Sequence, residues 1–164
     1  MISLKENKRL KELIAYLFFG ILTTLVSFLT YFTVLLVGEY VIGLDPNANE
    51  FYTVRVVGEI LQWVFSVLFA FFTNKKWVFT DANQNASTLK QLRIFAGSRL
   101  ITLGIDAFLT FGTVWLLQAL GYQEFTVNFI ITLSITADLI SKVVSSVFVV
   151  VINYFISKLL VFKK

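Results

Sequence analysis

Four apolar runs decide what this chain can become. They fall at Leu13 to Gly38, Val56 to Thr73, Phe95 to Leu117 and Leu139 to Leu160. A helix of about 20 residues crosses a hydrocarbon core of about 30 Å, and each run reaches about that length. A composition of 57% hydrophobic residues with 18 Phe leaves too little polar surface for a soluble domain. The expectation is an all-α membrane protein with four transmembrane helices. Lys5, Lys8, Arg9 and Lys11 precede the first run, as they would a secretory signal. That run is about twice as long as a signal core and no small-x-small cleavage site follows it, so it is expected to stay as the first span.

Charge sets the expected orientation. Besides the basic tail, Lys75, Lys76, Lys90 and Arg93 lie between the second and third runs, and Lys158, Lys163 and Lys164 at the end. The other two loops hold Glu39, Asp45, Glu50 and Glu124 against Arg55 alone. By the preference of Lys and Arg for cytoplasmic loops, both termini are expected in the cytoplasm. The sequence pI near 9.4 follows from these helix-end charges and calls for no nucleic-acid partner.

The second run leaves the apolar region through Phe72-Thr73-Asn74-Lys75-Lys76-Trp77-Val78-Phe79, and the fourth through Phe155-Ile156-Ser157-Lys158-Leu159-Leu160-Val161-Phe162. Phe, the first Lys, Val and the final Phe recur 83 positions apart. This predicts two copies of one helix hairpin, arranged as parallel two-helix repeats about an axis along the membrane normal. The polar stretch Thr80 to Thr88 joins them. Phe18-Phe19-Gly20 matches Phe95-Ala96-Gly97 at an offset of 77, which would place about six extra residues in the second copy, near Gln123 to Asp138.

Each run carries one polar stripe at helical spacing: Gly20, Thr24, Ser27 and Tyr31; Glu59, Gln62, Ser66, Ala70 and Thr73; Arg99, Thr102, Asp106, Thr110 and Thr113; Lys142, Ser146 and Asn153. Small and polar side chains in a membrane helix face other helices, so the stripes are expected to converge in a four-helix bundle, residues 1–164 forming a single domain. The 83-residue shift places Glu59 on Lys142 and Arg55 on Asp138 with signs reversed. A charge at mid-membrane costs about 2.5 to 3.5 kcal/mol on an insertion scale, so Glu59 is expected to pair with Lys142, and Arg99 to pair with Asp106 or to snorkel to the surface.

Several chemistries lack their residues. There is no Cys and no His, which excludes disulfides, thiol chemistry and bis-histidine haem ligation. No Asp-x-Asp or phosphate-loop motif occurs. The acidic residues are scattered. The expectation is no catalytic residue, no metal and no cofactor.

The residues that carry chemistry resemble the GtrA-like family of small bacterial membrane proteins. Phe18-Phe19-Gly20, the exit Phe72 to Phe79, Arg93 with Phe95, Lys142, and Asn153-Tyr154-Phe155-Ile156-Ser157-Lys158 through Val161-Phe162 carry the likeness, over nearly the whole chain. Ser157 and Leu160 stand where an amide and Trp are common in the family. The resemblance implies a flippase that moves a polyprenyl-phosphate-linked sugar across the cell membrane for surface polysaccharide synthesis. A membrane glycosyltransferase and a second copy of the chain are candidate partners beside membrane lipids. From the residues themselves, Asn74, Lys75, Lys76, Arg99, Asp106, Glu59, Lys142 and Asn153 are expected to bind the substrate, its phosphate captured at the Lys75 and Lys76 exit, passed to Arg99 and moved up the polar stripe toward Lys142. Two other functions compete: a scaffold that recruits a glycosyltransferase, and a small proton-coupled multidrug exporter, though exporters of that kind keep their Glu in the first span.

Overall fold

A computed structural model describes residues 2–82, 86–128 and 132–163 of the chain. Four helices account for most of it: α1 Ile2–Leu36, α2 Phe51–Thr73, α3 Thr88–Ala119 and α4 Ala137–Ile156. Each is long and apolar enough to cross a membrane. Lipid offers no partner to backbone N–H and C=O groups, so a helix, which pairs them internally, is the form these runs can take. The helices extend beyond the apolar runs because flanking polar residues continue the same turns. Residues 83–85, within the expected linker, lie outside the described residues.

Local chemistry sets the helix ends. Ser87 caps α3 by accepting from the Lys90 N–H at 3.5 Å, and Thr136 caps α4 by accepting from the Leu139 N–H at 3.1 Å. α3 closes at Gly121, whose φ of +72° suits a residue without Cβ. There Tyr122 N–H bonds Leu117 O and Gly121 N–H bonds Gln118 O, both at 3.0 Å, which satisfies carbonyls left open by the last turn.

The chain divides into two compact units, one for each helix pair. In the first, α1 runs antiparallel to α2. Ser27 Oγ meets Gln62 Oε1 at 2.9 Å, the Tyr31 ring lies against Gly58, and Gly38 lies against Phe51 and Val54. A Cβ on Gly58 would sit 3.0 Å from the Tyr31 ring, so this glycine is what allows the close approach. Ser27 and Tyr31 thus face α2, whereas Gly20 and Thr24, expected on the same stripe, are exposed within their hairpin.

In the second unit, Thr102 Oγ1 meets Asn153 Oδ1 at 3.1 Å and Thr110 Oγ1 meets Ser145 Oγ at 3.0 Å. The Ser27–Gln62 and Thr110–Ser145 bonds are offset by 83 residues at both ends. These two bonds thus join positions that correspond at 83 residues, not at the 77 at which Phe-x-Gly recurs. Between α3 and α4 lies a short antiparallel hairpin, β1 Phe125–Asn128 with β2 Thr132–Ile135. Tyr122 OH donates to Ile135 O at 2.9 Å and ties the hairpin to the end of α3.

Both exits end alike. α2 continues into a π-helical segment, Asn74–Val78, and α4 into another, Ser157–Val161. Phe79 N–H bonds Asn74 O and Phe162 N–H bonds Ser157 O, each at 2.8 Å. These wide turns direct Phe79 and Phe162 inward, where both are buried: Phe79 against Tyr16 in the first unit and Phe162 against Phe95 in the second.

Candidate functional site

The polar residues of α3 and α4 form a seam along their hairpin. It starts at Arg99, whose guanidinium lies over the Phe95 ring at 4.6 Å, within reach of a cation–π attraction. One turn on, Thr102 and Asn153 are bonded to each other, and both are buried. Asp106 follows, accepting from the Lys142 ammonium at 2.5 Å. The Thr110–Ser145 bond closes the series. Bonds of this kind in a membrane average about 0.6 kcal/mol, so the seam aligns the helices more than it stabilises them.

Sequence reasoning placed one of the charge pairs differently. Within its own hairpin Lys142 binds Asp106, which projects from the side of α3 that faces α4. That occupies the carboxylate expected for Arg99, which has no acidic partner among the described residues and takes the Phe95 ring face instead. Glu59 accepts from Gln62 Nε2, whose own Oε1 accepts from Ser27 Oγ, so a three-residue relay holds this carboxylate in the first unit.

α4 also shows its small residues on a different line. Ser146 is exposed, while Ser141 and Ser145 are fully buried and Asn153 and Ser157 nearly so. The i, i+4 spacing of Ser141 with Ser145, and of Asn153 with Ser157, was the signal that could have found this face. Gln91, also buried, gave no signal because it lies before the third apolar run.

At the exits, Asn74 and Ser157 are buried, and Asn74 Oδ1 and Ser157 Oγ have no hydrogen-bond partner among the described residues; Gln91 Oε1 is in the same state. Lys76 is exposed, its ammonium 4.7 Å from the Trp77 ring centre, and Trp77 stacks on Phe19 at 5.3 Å. Lys75 is half-buried beside it. Lys158 donates to Tyr154 OH at 2.9 Å. Among the described residues no group of three or more acidic side chains could hold a metal ion.

Four apolar helices in two hairpins, with polar side chains bonded across each, define a multi-pass membrane protein. The family model for the GtrA/DPMS transmembrane domain matches residues 15–162, and the chain belongs to that family. It is similar to a Bacillus subtilis protein described as uncharacterized membrane protein YwcD, at 29% identity over 91% of this chain and 94% of the relative. It is also similar to the cell wall teichoic acid glycosylation protein GtcA of Listeria monocytogenes, at 28% identity over 93% of this chain and 85% of the relative. The GtcA of Listeria innocua is 29% identical over the same shares. No solved structure matches the chain.

Proposed function

We propose that this protein handles a polyprenyl-phosphate-linked sugar for cell-surface glycosylation, and that it does so by moving the lipid's phosphate and sugar across the membrane. The observation that carries the reading is Arg99, a guanidinium without an acidic partner among the described residues, at the foot of a row of hydrogen-bonded polar pairs. Guanidinium binds two phosphate oxygens at once, whereas an ammonium acts as a point charge. The Thr, Asn and Ser groups above it can exchange their bonds to one another for bonds to sugar hydroxyls. The acyl chain stays in lipid. The GtcA relatives, named for cell wall teichoic acid glycosylation, support the same reading.

In this reading the termini and both π-helical exits lie at the cytoplasmic face, where Asn74, Lys75 and Lys76 attract the phosphate. Reconstitution tests it. Purified protein in liposomes with a labelled polyprenyl-phosphate sugar should exchange the lipid between leaflets. Arg99→Lys should keep binding yet lose most of the exchange rate, and Lys76→Ala should weaken capture mainly at low salt, where exposed charges act furthest. Equal exchange by wild type and Arg99→Ala would remove Arg99 from the path. A chain that exchanges no lipid but retains a bound glycosyltransferase is a recruiting scaffold, which would overturn the transport reading.

A further inference from the structure

The Asp106–Lys142 pair is out of step with the seam around it. Thr102 faces Asn153 and Thr110 faces Ser145, so the residue of α4 level with Asp106 is Val149. Lys142 lies seven residues nearer the start of α4, or about 10 Å along the axis at about 1.5 Å per residue. Lys142 sits only five residues after Ala137, where α4 begins, and a lysine near a helix end ordinarily extends its ammonium toward that end. Here the ammonium instead runs back along the hairpin to the Asp106 carboxylate. Its side chain remains 60% exposed while that of Asp106 is 22% exposed, so the cation is open on one side while bound on the other.

Such a cation has a bound partner, an open approach and a second direction in which its stem can extend. We propose that Asp106 is a displaceable counterion: it holds Lys142 in the unloaded hairpin, and a phosphate anion takes its place on the ammonium. The exchange is a swap of one oxyanion for another with no bond made or broken covalently. While phosphate holds Lys142, the Asp106 carboxylate stays on the facing helix, next to the ammonium it has released. On release the carboxylate recaptures the ammonium and resets the site. The inference rests on the function proposed above and adds how the site is kept from retaining its ligand.

The test is equilibrium binding of labelled undecaprenyl phosphate to the full chain in phosphatidylcholine nanodiscs, with leaflet exchange measured in parallel. A closed pair lowers apparent affinity by the fraction of time the ammonium is occupied, so freeing it should tighten binding. Asp106→Asn should bind on the order of tenfold more tightly and exchange lipid more slowly. Lys142→Gln and the double variant should both lose binding. Tighter binding with slower exchange is an outcome that a merely structural role does not produce. Asp106→Ser serves as the second neutral variant if the first elutes as an aggregate. Wild type that binds the probe, with neutral variants that bind it no better, overturns the exchange and leaves the transport reading standing. Wild type that binds neither this lipid nor inorganic phosphate overturns both. Binding of inorganic phosphate alone, tightened by Asp106→Asn in the same way, supports the exchange with the free anion as occupant and removes the lipid from it.

Discussion

Thr102 and Asn153 show how much a single hydroxyl decides in the α3–α4 hairpin. Thr102 is 2% exposed and Asn153 6%, so neither has solvent to fall back on. Thr102→Val keeps the shape and removes the donor, leaving Asn153 Oδ1 buried and unpaired, which should cost about 1 to 3 kcal/mol. Thr102→Val with Asn153→Leu removes both partners and should recover part of the loss in thermal midpoint measured in detergent. Additive losses would mean that the 3.1 Å contact contributes nothing to the fold. The same reasoning makes Ser145→Leu damaging, since Ser145 is fully buried against Thr110 and added methylenes would push the helices apart. At neighbouring Ser146, which is exposed, Leu should be accepted.

Between elements, glycine separates close contact from mere smallness. Gly58→Ala would put a Cβ 3.0 Å from the Tyr31 ring and should destabilise by about 1 to 3 kcal/mol. Gly20→Ala meets nothing within 4 Å in its own hairpin and should be neutral or mildly stabilising through helix propensity. A thermal-shift series on these two variants checks both, and a large loss at Gly20 would show that this position touches something beyond α2. The sequence made the four helices legible because about 20 apolar residues in a row leave few alternatives, and the stripe periodicity marked Gln62, Thr102, Thr110 and Asn153 correctly. Partner choice was not legible. Asp106 met Lys142 because α3 and α4 face one another along their hairpin, while spacing along α3 alone had favoured Arg99. The π-helical exits were visible as the repeated Phe-to-Phe spacing, yet nothing in that spacing said that the turn widens to bury Phe79 and Phe162. Truncating either ring to Ala should cost about 3 to 5 kcal/mol, as for a buried aromatic side chain elsewhere.

At the scale of the whole molecule, the orientation proposed from charge is directly measurable because the chain has no cysteine. Eleven basic residues in the three segments named for the cytoplasmic side, against one Arg55 in the other two loops, is an asymmetry for which the positive-inside preference predicts cytoplasmic termini. Because the chain has no native thiol, each introduced cysteine is the only labelled site. In intact cells a membrane-impermeant maleimide should label Asn47→Cys, in the loop after α1, and Gln123→Cys, between α3 and β1. It should miss Thr80→Cys and Lys163→Cys until the cells are opened. Lys8 and Asp81 provide an internal check, since their 2.6 Å contact ties the N-terminal tail to the loop after the first exit. Thr80 and a cysteine placed at Lys8 must therefore report the same side. Labelling of Thr80→Cys with Asn47→Cys protected would invert the protein, carry the Lys75 and Lys76 exit to the outer face, and leave the proposed capture site facing away from a cytoplasmic supply of lipid-linked sugar.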